Sequence, residues 1–124
     1  MSPRLTVADL RFINRVAARR FTEAEPPLAE DSALAAALDG DAPGTALEAT
    51  AALVGSLLRG NAFTAVPLHT ALLVLHCALA FDGLILLAPQ GVIVGMIRGL
   101  AGDGDAAAFA RWLEDRTVPS ASGS

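Results

Sequence analysis

The chain has 124 residues, of which 53% are hydrophobic, with a mean hydropathy of +0.50 and a formal net charge of -4. That length predicts one domain over residues 1–119 with 120–124 as a frayed tail, and a core that hides about two thirds of the unfolded surface. All nine basic residues are arginine and the pI is near 4.9, a balance that excludes nucleic acid as a general partner and leaves only a local basic patch.

Thr6-Val7-Ala8-Asp9 has the form of a capping box, and Leu10, Ile13, Ala17 and Phe21 then share one helical face, which predicts a first helix from Val7 to Arg20. Arg11, Arg15 and Arg19 recur every four residues on a neighbouring face. Such like-charged pairs cost about 0.2–0.5 kcal/mol each unless acids answer them. The stripe reads either as solvated or paired with the chain's own carboxylates, or as a surface for an acidic partner.

Thr22 to Glu30, with Pro26-Pro27, is a connector, since proline lacks a donor and pushes its predecessor out of helix. A short helix follows from Asp31 or Ser32 to Leu38, then a mobile acidic turn over Asp39-Gly40-Asp41-Ala42-Pro43-Gly44. Leu47, Ala51, Val54 and Leu58 mark a helix from Thr45 to Arg59, with Gly60 suited to its C-terminal cap.

From about Pro67 to Asp82 the sequence is apolar nearly all round, the pattern of a helix enclosed by others, and Gly83 closes it as a left-handed cap. Leu84 to Leu87 is too short to classify. Pro89 can open a helix whose buried face is Val92, Ile93, Met96, Ile97 and Leu100, and Gly102-Asp103-Gly104 ends it. Asp105 caps the last helix, packed by Phe109, Trp112 and Leu113. The sum is all-α: a compact bundle of about six helices around an apolar central one.

The apolar region from Ala71 to Leu100 is broken by Asp82-Gly83 and Pro89-Gln90-Gly91 into pieces shorter than the roughly 18 residues a span needs. Met1-Ser2-Pro3-Arg4 lacks the apolar run of a signal peptide, and the single cysteine, Cys77, cannot form an internal disulfide. The expected location is the cytoplasm, with no membrane partner.

Arg59-Gly60, Phe63, Thr70-Ala71, the apolar helix to Asp82-Gly83, the Pro-started helix, Ala101-Gly102-Asp103 and Ala110-Arg111-Trp112-Leu113 together resemble the death-on-curing (Doc) toxins of the Fic superfamily. The resemblance spans most of the chain. It implies an all-helical fold and transfer of phosphate, or of a nucleotide monophosphate, to a protein hydroxyl. The family signature starts with His, has Phe third and an acid fifth, and continues through a small residue, Asn, Lys and Arg to Thr.

In this chain the His position holds Asn61, and Phe63 is kept. Ala65 replaces the acid, Val66 takes the small-residue position, and Pro67, Leu68 and His69 replace Asn, Lys and Arg before the retained Thr70. Phosphoryl or nucleotidyl transfer needs a base at the attacking hydroxyl, a carboxylate for the divalent metal and donors for phosphate charge. Asn61 takes no proton at neutral pH, Ala65 holds no metal and Leu68 carries no charge. Pro67 also deletes an amide from the helix N-terminus, where anions otherwise bind.

His69 alone in the stretch could serve as acid, base or anion donor, against the reading of a packed or solvated histidine. His76 lies two turns on, about 10.5 Å away, too far to share a metal with it. Cys77 reads as a small buried hydrophobe, Phe63 as a core anchor, and Asn61 as a backbone cap or a ligand contact. The acids around Gly40 and Gly104 lack calcium-loop spacing and read as turn and cap residues.

The resemblance therefore implies a degenerate member of a toxin–antitoxin family, with no catalytic residue, cofactor or metal of its own, that works by binding a protein. Its candidate partners are a small antitoxin-like protein or a second copy. The alternative is a toxin enzyme with a rebuilt site, in which His69 and acids from Asp39 to Asp41 stand in and ATP or another nucleotide binds with Mg2+. A third reading is a membrane-associated helical hairpin.

Overall fold

Helix α1, Val7–Phe21, begins where Thr6 and Asp9 satisfy each other's backbone. The Thr6 N–H donates to Asp9 Oδ2 at 2.9 Å and the Asp9 N–H donates to Thr6 Oγ1 at 3.1 Å, so two otherwise orphaned donors are paired before the first turn closes. The computed structural model describes residues 5–21, 34, 35, 38, 46–60, 63, 67–102 and 105–119. In chain order α1 is followed by α2, Ala46–Arg59; α3, Pro67–Phe81; β1, Leu84–Leu86; α4, Gln90–Ala101; α5, Ala106–Arg116; and β2, Thr117–Pro119. Residues 34, 35 and 38 are also helical, within the segment predicted as a short helix.

The architecture is all-α with one addition that periodicity does not predict. The unclassified run at Leu84 is a strand, paired antiparallel with β2 in the register Leu84 with Pro119, Ile85 with Val118 and Leu86 with Thr117. Three-residue strands are too short to show alternation, and this pair is joined across two intervening helices.

Local chemistry sets the other boundaries. Gly83 sits at φ 72°, the only positive-φ glycine among the described residues, and turns the chain from α3 into β1. Pro89 is the N-cap of α4, and its carbonyl accepts from Val92 and Ile93. The Asp105 carboxylate accepts from the Ala107 N–H at 2.9 Å and caps α5. Gly102 ends α4 at φ -87°, its N–H donating to the Arg98 and Gly99 carbonyls, so it closes the helix without a left-handed residue.

Helices α2 and α3 together form the middle of the bundle: α3 packs on α1, α2, α4 and β1, while α5 packs mainly on α2. Their shared core includes Leu10, Val54, Val74, Leu75, Leu79, Ile97, Leu100, Phe109 and Leu113. Each fully buried side chain of this kind stabilises the fold by about 1.5–3 kcal/mol relative to exposure. The Phe109 and Trp112 rings stack with centroids 5.8 Å apart.

Enclosure of α3 is incomplete, contrary to what its apolar sequence predicts. Thr70, Ala71, Leu72, Val74, Leu75 and Leu79 are buried, but His76, Ala80 and Phe81 lie at the surface. An exposed face with no charged residue carries little hydropathy signal against enclosure, which is why sequence alone overstates it.

Candidate functional site

The signature positions lie at the start of α3, where α1 crosses it. Pro67 is exposed, Leu68 and His69 are half-buried, and Thr70 is fully buried at the α1 contact. Phe63, just upstream, is 5% exposed and belongs to the core. Asn61, Ala65 and Val66, together with the turn at Asp39 to Asp41, lie outside the described residues. The structure thus places Phe63 and Thr70, the two positions matching the motif, among packed side chains.

Thr70 is held by a residue that the sequence reading passes over. Asn14 of α1 is 4% exposed, and its Nδ2 donates to Thr70 Oγ1 at 2.9 Å, a side-chain bond between the two helices inside the core. A buried hydroxyl or amide without a partner costs about 1–3 kcal/mol, so each group makes the other's burial tolerable. The signal for Asn14 was available: it follows Leu10 by four residues and precedes Ala17 by three, which puts a polar side chain on the buried face.

Around this point the chemistry is sparse. Pro67 contributes no amide to the start of α3 and Leu68 packs against the core. Arg59, which ends α2, folds back so that its Nε donates to the Gly55 carbonyl at 3.3 Å. Among the described residues no group of three or more His, Cys, Asp or Glu is gathered.

Farther along α3, His76 sits at the surface, where partial burial of its ring lowers its pKa from the ordinary 6.5. Cys77 is half-buried. Burial raises the pKa of its thiol, with a smaller contribution in the same direction from the Asp9 carboxylate at the start of α1. A thiol raised in this way is a poor nucleophile and a poor metal ligand at neutral pH.

A separate open groove of about 680 Å³ runs along α1, lined by Val7, Ala8, Arg11, Phe12, Arg15 and Ala35. None of the signature residues lines it. Phe12 is 64% exposed at its edge, and Arg11 and Arg15 of the arginine stripe flank it, Arg11 half-buried and Arg15 exposed.

No helix among the described residues is long and apolar enough to cross a membrane. No protein-family model matches the chain, and no curated protein matches it.

Proposed function

We propose that this chain is a non-catalytic binding module on a Doc-type helical scaffold, a cytoplasmic member of the toxin–antitoxin class whose active site has degenerated. Its partner in this reading is a protein, either a small antitoxin-like chain or a second copy. One observation supports it above the others. Phe63 and Thr70, the residues that match the family signature, are packed at 5% and 0% exposure, and the Thr70 hydroxyl is taken up by Asn14. The described residues beside them are Pro67, Leu68 and His69, which between them offer no carboxylate for a metal and no permanent cation for phosphate.

Thermal unfolding of the purified chain against ATP, GTP, CTP and UTP, each with and without magnesium, tests this. A ligand at 100 times its Kd adds about 2.7 kcal/mol, which moves the midpoint by several degrees in a domain of this size. The binding-module reading expects flat curves. A magnesium-dependent rise with one nucleotide would overturn it in favour of the enzyme with a rebuilt site, and His69→Ala would then be expected to abolish the rise.

A further inference from the structure

The exposed large apolar side chains are not scattered. Among the described residues Ile85 and Val118 lie in the β1–β2 sheet, Leu87 follows β1, Phe81 ends α3 and Val92 is in the first turns of α4, all at 40–57% exposure, while the other two, Phe12 and Val16, lie on α1. Within the sheet Ile85 pairs with Val118, so both project from the same outward face. Leu87 follows Ile85 by two residues onto that face. Leu86 points the other way and is buried.

The hydrogen-bond pattern decides what the edges of this sheet offer. The Leu87 N–H donates to the Arg116 carbonyl at 2.8 Å, so Leu87 and Arg116 extend the ladder as a hydrogen-bonded pair. Such pairs alternate in an antiparallel ladder, which makes Ile85 and Val118 the next one. Leu84 and Leu86 therefore turn their N–H and C=O groups away from β2, and Thr117 turns its N–H and C=O, and Pro119 its C=O alone, away from β1.

The two outer edges differ. On β2 the edge position at Pro119 has no N–H to give, one of the devices that keep an edge from pairing. On β1 both edge residues carry donors, no proline or charge interrupts Leu84 to Ala88, and among the described residues no further strand borders it.

We propose that a second copy of this chain pairs along the outer edge of β1, antiparallel across a two-fold axis at Ile85, to give a four-stranded sheet in the order β2–β1–β1–β2. The alternation fixes the register: Leu84 of one copy exchanges hydrogen bonds with Leu86 of the other, and the two Ile85 side chains meet on the outward face at the axis. The segment from Gly83 to Val92 carries no ionisable group, so the paired edge sets no like charges against each other. A two-fold contact closes on itself, and Pro119 guards what remains at the outside. A stable interface needs roughly 800 Å² per partner. Phe81, Leu87 and Val92, each exposed and within six residues of the strand, add apolar surface to the proposed contact. This inference rests on the sheet edge and stands apart from whether the start of α3 binds a nucleotide.

Sedimentation equilibrium of the full chain at high micromolar concentration tests it, with three variants. The wild-type chain is expected at twice its 12.7 kDa, and Ile85→Arg, which sets two cations face to face at the axis, at the single-chain mass with an unchanged helical circular dichroism spectrum. In a Cys77→Ala background, Ile85→Cys is expected to cross-link two chains on mild oxidation, because directly opposed residues of a non-hydrogen-bonded pair have Cα atoms about 4.5 Å apart, within disulfide reach. Val118→Cys, one strand farther out on each side, is expected to stay uncross-linked. A wild-type chain that sediments as a monomer, a dimer that survives Ile85→Arg, or cross-linking no better at 85 than at 118 would each overturn the proposal. Should Ile85→Arg fail to fold, the cross-linking comparison decides alone.

Discussion

At the start of α3 the chain draws polar groups inward, with the Thr70 hydroxyl buried against Asn14, whereas past its end it turns apolar groups outward at Ile85 and Leu87. Both ends belong to one apolar sequence, and what separates them is their neighbours. A fifteen-residue helix buries Thr70 near the start, so that hydroxyl must find a partner. The end is met by three-residue strands, which cover only one face. At the start of α3 the Thr70 side chain is thus covered by α1, whereas Ile85 and Leu87 past its end are open to contact.

Substitutions at five positions would break or sharpen that contrast. Asn14→Ala leaves the Thr70 hydroxyl in the core without this donor and is expected to cost about 1–3 kcal/mol, read from the urea midpoint. Thr70→Val should cost a similar amount, and the double variant less than the sum, since both members of the bond are then gone. Additive losses would mean that the two groups do not hold each other. At the other end, Gly83→Ala forces a Cβ into the left-handed region and should cost about 1–2 kcal/mol. No atom lies within 4 Å of that Cβ, so the penalty is conformational, and Gly83→Asn should lose less.

The exposed side of α4 should respond with the opposite sign. A Cβ at Gly95 meets nothing within 4 Å and the backbone there is helical, so Gly95→Ala should raise stability by about 0.5–1 kcal/mol. A loss instead would show that this surface is already occupied, as in a tight helix contact between copies. The smallest effect concerns His76. Its folded pKa lies below 6.5, so below that pH the unfolded chain takes up the proton more readily and stability falls as pH drops. His76→Gln should flatten that decline in urea titrations between pH 7 and pH 5.

Much of the fold was legible because its boundaries are written in local chemistry. Thr6 with Asp9, Gly83 and Asp105 each announce a helix end through a bond or a dihedral that needs no distant partner. The β1–β2 pairing was not legible, since residues 84 and 119 are separated in the chain by α4 and α5. At the candidate site, the family resemblance singled out Phe63, His69 and Thr70 but said nothing of direction. Whether Thr70 faces a ligand or the core depends on where α1 crosses, and Asn14, the residue that answers, is 56 positions away.

That one bond also bears on how many ways the helices can fit together. Apolar ridges on α1 and α3 would tolerate a slide of one turn, about 5.4 Å, with similar area buried. A donor and an acceptor sealed between them meet in one register alone, because any slide breaks their bond. Asn14 and Thr70 therefore act as a key between two smooth surfaces. Replacing both by apolar residues is expected to leave much of the stability while broadening the amide resonances of α1, as neighbouring registers become populated.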